Sequence, residues 1–417
     1  VVVVSIWTWL EVGSLLPQPA LEDAAMLFRY AENLAAGGGI AWNFGENPGA
    51  TDGATDLGFV LVLAPLIMLG IPVTYAAWLL NLLAIFGLGF LISRVFRRNF
   101  ELPQIFTFLF IVLVMSTFVN RFVTSGFSPP ILAFLLTLVL VGGLYVASIS
   151  NYSTRNWIFL GILAGVVGWW RPEGFALGPM IAVFAVLTSI NWNKTKRSEL
   201  PKISIYLVVG IFIPVVTWIV FRMFYFGHLL PSSGVMKSGN LNRVNLLETM
   251  QYLSLTLLPI LAIVIAASIS RPNRIVVFLM ALFAFSVIWV PITLHLNWWN
   301  RMQWPLVIPL ALIAIATIAA NIRVYRDASG SLLLSRVNVV AAILLSLVGI
   351  TTLRAFSESE PPYTSYQPHT AISSALQLID TTDVRLATSE AGLVPLATSG
   401  PAIDTYGFNN YAVASTK

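Results

Sequence analysis

The chain has 417 residues, of which 57% are hydrophobic and 10% are charged, and its formal net charge is +5. Soluble domains are about a quarter charged, so this composition excludes an ordinary soluble protein and indicates a polytopic membrane protein. The basic residues lie singly or in short clusters between apolar runs, which favours membrane topology over a nucleic-acid footprint. The absence of cysteine excludes disulfides and cysteine-based metal sites.

Apolar runs suited to membrane helices recur along the first 353 residues. They show no period-2 alternation, which favours helices over a barrel. The runs fall near 1–16, 57–71, 73–93, 104–119, 131–148, 157–170, 175–191, 204–221, 251–270, 275–292, 305–320 and 337–353. We therefore predict an all-α transmembrane domain over 1–353, with about 11 to 13 transmembrane helices.

Basic clusters predict the orientation of these helices. The clusters at 194–202, 271–274 and 323–336 are each separated from the next by two apolar runs, so all three can be cytoplasmic. The run 57–71 is short and is broken by Pro65 within it and by Pro72 directly after it, so we expect a re-entrant or partly buried helix there; a miscount elsewhere is the alternative. The loop 19–56 then lies outside. The same count places outside the segments 124–130, 171–174, 222–250, 293–304 and everything after 353.

The loop 19–56 is a carboxylate-rich island between two apolar runs. Glu22 and Asp23 stand at the start of a predicted helix that is closed by glycine, with Phe28, Ala31 and Leu34 on one face. Adjacent carboxylates at a helix start can simply favour the positive end of the helix dipole. Ionisable groups at a membrane boundary also tend to mark sites, and a carboxylate near an anomeric carbon suits the general base of glycosyl transfer.

A second constellation is Arg171-Pro172-Glu173-Gly174, which follows two tryptophans in the middle of an apolar hairpin. An arginine at membrane depth is costly unless it is paired. One interpretation is therefore a structural pair of Arg171 with Glu173 or with a carbonyl. The other is a contact to a lipid phosphate, whose oxygens match the guanidinium fork.

Two further polar groups fall on the same predicted outer face. The stretch RMFYFGHLLPSSGVMKSG contains Arg222, His228 and Lys237, and the stretch HLNWWNRMQWP contains His295, Asn297, Asn300 and Arg301. Cations just outside a membrane can be ordinary headgroup contacts, and a lone histidine is more often structural. Their assignment to one face, together with the two constellations above, favours a common site.

The tail 354–417 changes character. A Pro/Ser linker is followed by AISSALQLID, which predicts a short amphipathic helix, and by VRLATSEAGLVPLATSGPAIDTYG, which predicts two short strands with turns. We expect an extracytoplasmic α/β segment that is the start of a small domain cut off at Lys417.

In order, the motifs EDAAMLFRYAENLAAGGGIAWNFGE, WWRPEG, YFGHLLPSSGVMKSG, NRMQWPLVIPL and SEAGLVPLATSGPAIDTYGFN resemble the GT-C superfamily of polytopic glycosyltransferases. The resemblance is closest to the arabinofuranosyltransferases of cell-wall arabinan assembly and their flagella-associated relatives. It implies a multi-pass protein of the bacterial plasma membrane with an extracytoplasmic active site.

The resemblance also implies roles for individual residues. The catalytic acidic pair of the family maps onto Glu22 and Asp23; Asp23 keeps the aspartate and is the expected base, whereas Glu22 departs from the usual aspartate. The residues implied to bind the donor phosphate are Arg171, Lys237, Arg222, Arg301 and His228. The candidates for substrate or acceptor contacts are Arg29, Tyr30, Asn43, Glu46, Asp52 and His295. In the tail, Gly392, Pro395, Asp404 and Gly407 fit the family pattern, and Glu390 stands where an aspartate is common.

The predicted function is an inverting transfer of a sugar from a polyprenyl-phosphate donor to a hydroxyl of an extracytoplasmic glycan or glycoprotein. The sequence contains no nucleotide-binding loop, which fits a donor that arrives on a lipid. No cofactor is required by the sequence; a divalent cation stays an open alternative, and no metal ligands are assigned. The partners are the lipid donor, the acceptor and the bilayer, without nucleic acid. The alternatives are a transporter or lipid flippase, or a non-enzymatic scaffold that binds wall polymer through its tail.

Overall fold

The computed structural model describes residues 22–95, 122–148, 153–189, 194–237, 371–378, 385–389, 391–407 and 409–414, with a few isolated positions beside them. Most of these residues are helical. The main helices are α1 Glu22–Ala35, α2 Leu57–Met68, α3 Val73–Val95, α4 Pro129–Ser148, α5 Thr154–Trp170, α6 Gly174–Ser189, α7 Lys194–Tyr225 and the short α8 Ser232–Lys237.

Three helices in the described part of the chain are long and apolar enough to cross a membrane, over Val73–Arg94, Pro129–Val146 and Glu199–Tyr225. This supports a helical membrane protein. The predicted runs at 1–16, 104–119, 251–270, 275–292 and 337–353, and nearly all of 305–320, lie outside the described residues.

Helix α1 is present as predicted, with Glu22 and Asp23 in its first turn. Phe28 and Ala31 are buried, but so is every residue from 24 to 31, and Leu34 is only half-buried. Burial therefore surrounds this helix and is not confined to the predicted face. Carboxylates in the first turn meet the unbonded backbone N–H groups and positive dipole of a helix start. The chain leaves the helix through Gly37, whose φ of 85° favours glycine, so the predicted glycine stop is confirmed.

Helix α2 is short, as expected for the run 57–71. Its 12 residues extend about 18 Å, which is less than the ~30 Å hydrocarbon core. The expectation that Pro65 breaks the run is wrong, because Pro65 lies inside the helix and the chain turns only at Gly70, which has a φ of 85°. A single missing N–H is tolerated when the other backbone hydrogen bonds of a short apolar helix stay in place.

The contacts of α3 with α4 fix the direction of both helices. Asn81 Nδ2 donates to Phe127 O at 2.7 Å, and Gly87 lies against the ring of Phe134, where a Cβ would come within 2.6 Å. The later residue of α3 thus contacts the later residue of the Phe127–α4 segment, so the two helices run in the same direction. The start of α2 lies at the same level as Phe127, because Ser128 donates to Asp56. Helix α2 thus does not carry the chain to the other end of α3, which supports the expected partial crossing.

Helices α5 and α7 are also parallel, and α6 runs against α5. Gly161 and Gly165 of α5 lie against Gly210 and Pro214 of α7 in the same order, and close approach of the backbones requires these small residues. Gly178 of α6 faces Ala164 of α5. The end of α5, the start of α6 and the end of α7 therefore meet at one end of the bundle.

This end, which we call the loop end, contains residues 36–56, 124–128, 171–173 and 226–233.

The tail packs against the loop end. Strands β1 Leu386–Thr388 and β2 Ala402–Asp404 pair in parallel, with Leu386 opposite Ala402, and residues 371–376 are helical. The predicted short helix and two short strands of the tail are confirmed.

Candidate functional site

The loop end contains two buried clusters in which an arginine meets carboxylates. In the first, which we call the Arg171 cluster, Arg171 Nε lies 2.5 Å from Glu173 Oε1 and Arg171 Nη1 lies 3.7 Å from Asp56 Oδ1. Ser128 Oγ donates to the other carboxylate oxygen of Asp56. The predicted pairing of Arg171 with Glu173 is confirmed.

Local packing brings these residues together. The indole of Trp170 lies on Gly58, where a Cβ would come within 2.7 Å of the ring, so the first turn of α2 sits beside the end of α5. Asp56 immediately precedes α2 and Arg171 immediately follows α5. A larger residue at Gly58 would separate the two helices and with them the two charged groups.

The electrostatics keep Arg171 charged. Burial alone would lower the pKa of Arg171, but the carboxylates of Glu173 and Asp56 outweigh it and raise the pKa above its usual value. Asp23 adds a smaller contribution of the same sign. Asp23 therefore shares the electrostatic field of Arg171, although the two residues belong to different helical segments.

The neighbouring acids Glu22 and Asp23 occupy different environments. Glu22 is buried, and its carboxylate accepts hydrogen bonds from the backbone N–H groups of Gly392 and Leu393, the second at 3.0 Å. Asp23 is half-buried. The structure thus separates an acid held by the tail from an acid that remains partly accessible beside Arg171.

The second cluster, which we call the Arg222 cluster, contains a fully buried ion pair and a half-buried histidine. Asp52 pairs with Arg222 Nη2, and His228 Nε2 lies 3.2 Å from Asp52 Oδ2. Arg222 Nε donates to Leu229 O at 2.6 Å, and the guanidinium lies 4.8 Å from the ring centroid of Phe226. The Arg222 and Asp52 side chains are 1% and 0% exposed, so this pair anchors the loop to the end of α7.

Arg29 connects α1 to the loop and to the tail. Its Nε donates to Trp42 O at 2.7 Å, and its terminal nitrogens donate to Thr398 O at 2.9 Å and Gly400 O at 3.1 Å. They also reach Pro395 O and the side chain of Asn43, the latter at 3.2 Å. Burial lowers the pKa of Arg29 to about 10. Its hydrogen bonds are thus used within the protein.

The polar groups of Tyr30 and Asn43 also form hydrogen bonds within the protein. The Tyr30 hydroxyl accepts from Gly53 N at 2.6 Å and lies 3.0 Å from Asn409 Oδ1, and burial raises the pKa of Tyr30 well above its usual value. Asn43 Oδ1 accepts from Ala402 N at 2.9 Å, and Asn43 Nδ2 donates to Ala402 O at 2.8 Å. Asn43 Nδ2 also donates to the exposed Glu46 at 2.8 Å.

The structure therefore sorts the sequence candidates. It gives Asp23 an electrostatic interaction with Arg171, and it brings Arg222, His228 and Asp52 together in a separate cluster. It also adds Asp56 as a partner of Arg171, a pairing that the sequence analysis did not predict. The available signal was an aspartate directly before an apolar run, at the N-cap position of α2.

The remaining candidates fall outside the described residues. Lys237 is the last residue of α8, but its side chain is not among them, and neither are His295 and Arg301. Within the described ranges, no group of three or more His, Asp or Glu side chains could hold a metal ion.

Comparisons with known proteins place this chain in no family. No family model, no curated protein and no solved structure matches it. The function proposed below therefore rests on the residues of this chain and on the resemblance of their motifs.

Proposed function

We propose that the protein is a membrane glycosyltransferase that moves a sugar from a polyprenyl-phosphate donor to a hydroxyl of an extracytoplasmic glycan or glycoprotein. One observation carries the proposal: of the two adjacent acids, Asp23 is half-buried, whereas Glu22 is buried and accepts hydrogen bonds from backbone N–H groups of the tail. The charge of Asp23 also contributes to the raised pKa of Arg171. A partly accessible carboxylate beside a fixed cation suits a base next to a departing phosphate.

In this mechanism Asp23 accepts the proton of the acceptor hydroxyl. The acceptor oxygen attacks the anomeric carbon from the face opposite the phosphate, a bond forms there, and the bond from carbon to phosphate oxygen breaks. The electron pair of that bond goes to the phosphate, where Arg171 stabilises the charge. Attack from the opposite face inverts the anomeric configuration.

Glu173 and Asp56 have a supporting role in this proposal. They hold two different nitrogens of Arg171, at 2.5 and 3.7 Å, and so fix the guanidinium before the donor arrives. A group that is already oriented costs no reorganisation during the reaction. The same acids repel a second anion, so the donor phosphate must approach the side of Arg171 that faces away from them.

The proposed orientation places the loop end outside the cell. The exposed Arg94 and Arg155 lie near the opposite ends of α3 and α5, and α7 begins there with the basic segment 194–202. Excess basic residues are typical of the cytoplasmic side, which supports an extracytoplasmic position for the Arg171 cluster. A bacterial plasma membrane follows from the resemblance alone.

The other candidate residues from the sequence have different proposed roles. We assign Arg222 and Asp52 to holding the loop, because a pair that is 1% and 0% exposed is not accessible to a ligand. His228, whose side chain is 16% exposed, stays a proposed contact to the donor phosphate. Arg29, Tyr30 and Asn43 hold the tail. Lys237, His295 and Arg301 stay proposed contacts to donor or acceptor, and Glu46 stays the exposed candidate for acceptor contact.

The test uses the purified protein in proteoliposomes with labelled polyprenyl-phosphate sugars and a glycan acceptor. We expect released polyprenyl phosphate and label on the acceptor, in equal amounts. Transport of the intact donor across the bilayer would instead establish the flippase alternative. Binding of wall polymer without release of lipid phosphate would establish the scaffold alternative.

A further inference from the structure

Residues 391–407 and 409 of the tail are joined to α1 and its loop by polar contacts as well as by buried apolar residues. The carboxylate of Glu22 accepts hydrogen bonds from two backbone N–H groups of the segment. In addition, Trp42 Nε1 donates to Ala391 O at 3.1 Å. The polar residues that reach the segment from α1 and its loop are Glu22, Arg29, Tyr30, Trp42 and Asn43. Five side chains from a single stretch of the sequence thus recognise the backbone and side chains of another.

Gly392 allows the closest part of this contact. A Cβ at this position would overlap the carbonyl oxygen of Glu22 and lie 2.6 Å from its carbonyl carbon. Neither atom can move without moving the backbone of the first turn of α1. Glycine is therefore needed at position 392 for the close approach of the two backbones.

Arg29 makes the docking of the tail segment on α1 cooperative, because it bonds several carbonyls of the segment at once. A buried cation is costly unless it is hydrogen-bonded, and the carbonyls of Thr398 and Gly400 supply acceptors at 2.9 and 3.1 Å. Pro395 O adds a third acceptor from the same segment. If the segment moves away, Arg29 loses all three together, so docking is cooperative.

From these contacts we propose that Glu22 is a positioning residue: it docks the segment 391–400 against the first turn of α1 and thereby fixes the position of the adjacent Asp23. This inference rests on the glycosyltransferase function proposed above. Glu22 and Asp23 are adjacent in that turn, so a shift of the turn moves both. Misplacement of a reacting group by about 1 Å can cost 10²-fold in rate.

The first test substitutes Gly392→Ala in the full-length protein, which blocks docking without changing a charged group. We expect faster hydrogen exchange of 391–400 and a kcat lowered by about 10- to 100-fold, with the donor KM changed less than about 2-fold. The control is Gly89→Ala on α3, where nothing lies within 4 Å of the added Cβ. It should leave exchange and kcat at wild-type values.

The second test uses Glu22→Gln, which keeps the shape of the side chain and replaces one acceptor oxygen. We expect the same rise in exchange of 391–400 and the same loss of kcat, with an unshifted pH–rate profile. The double variant with Gly392→Ala should be no slower than the slower single variant, because both remove one contact. Glu22→Asp should recover part of the rate.

Two results would overturn the positioning role. One is a Gly392→Ala protein whose segment exchanges freely while kcat is that of the wild type. The other is a Glu22→Gln protein that loses turnover while 391–400 keeps its wild-type protection, which would give Glu22 a chemical role. Failure of the proposed function is distinguishable from both, because it appears as absent transfer in the wild type while hydrogen exchange still reports docking.

Discussion

The Arg171 cluster and the Arg222 cluster use the same chemistry for different purposes. Each pairs an arginine with an aspartate of the same loop, Asp56 or Asp52. The Arg171 and Asp56 side chains retain 11% and 6% exposure, whereas Arg222 and Asp52 retain 1% and 0%. An arginine–aspartate pair alone therefore does not identify a functional site. The exposure of the pair and the residues around it distinguish the two clusters.

The neighbours explain the difference. Arg222 lies over the rings of Trp218 and Phe226, at 5.2 and 4.8 Å, which exclude water from the pair. Arg171 instead shares its surroundings with the half-buried Asp23. Removing one partner from a sealed ion pair is strongly destabilising, so the Arg222 cluster should govern folding and the Arg171 cluster should govern chemistry.

The largest expected effect on stability comes from Asp52→Asn. It leaves Arg222 buried without its counter-charge, and we expect a loss of about 3 kcal/mol in the free energy of unfolding. Thermal unfolding in detergent measures it. Glu46→Gln, an exposed acid of the same loop, is the control and should stay within about 0.5 kcal/mol of the wild type. An unchanged Tm for Asp52→Asn would remove the distinction between the clusters.

Arg171→Lys should act on turnover more than on folding. Lysine cannot hold Glu173 and Asp56 with two nitrogens at once, and we expect kcat to fall by about 10- to 100-fold. The transfer assay measures it, with the exposed Arg155→Lys at the opposite end as control. A variant with normal kcat and a strongly lowered Tm would make Arg171 a structural residue like Arg222.

Tyr30→Phe should have an intermediate effect. It removes the hydroxyl that accepts from Gly53 N and lies 3.0 Å from Asn409 Oδ1, so buried polar groups lose a partner. We expect a loss of about 1–3 kcal/mol, seen as a lower Tm and faster hydrogen exchange of 404–409. Normal stability would show that the tail is held without Tyr30.

The smallest effect concerns Glu32 on the outer part of α1. Burial raises the pKa of Glu32 above its usual value, and Arg29 opposes this only in part. A carboxyl whose folded pKa is raised contributes stability below its unfolded pKa and loses that contribution as pH rises through the folded pKa. Glu32→Gln should therefore raise Tm slightly at pH 7.5, by less than about 1 kcal/mol in stability, and not at pH 4. Equal shifts at both pH values would contradict this assignment.

Local features were predictable from the sequence. The start of α1, its glycine stop and the Arg171–Glu173 pair all depend on residues close together in the chain, where helix capping and charge burial decide the outcome. The short α2 was predicted from the length of its apolar run. Pro65 was misjudged because proline costs a short apolar helix only one hydrogen bond.

Distant partners were not predictable. The sequence does not say that Glu22 meets the N–H groups of Gly392 and Leu393, or that Asp52 and not Asp56 meets Arg222. These pairings depend on how parallel helices bring their ends together, and glycine contacts such as Gly58 against Trp170 set that geometry. A single sequence carries no direct signal for these distant pairings or for the helix arrangement that produces them.

The most direct test of the central claim compares Asp23→Asn with wild type in the same transfer assay. The account predicts a loss of kcat of about 10²- to 10⁴-fold, an unchanged Tm and unchanged protection of 391–400, because Asp23 acts as a base and does not hold the tail. Asp23→Glu should retain measurable transfer. Transfer by Asp23→Asn at the wild-type rate would contradict the assignment of Asp23 as the base.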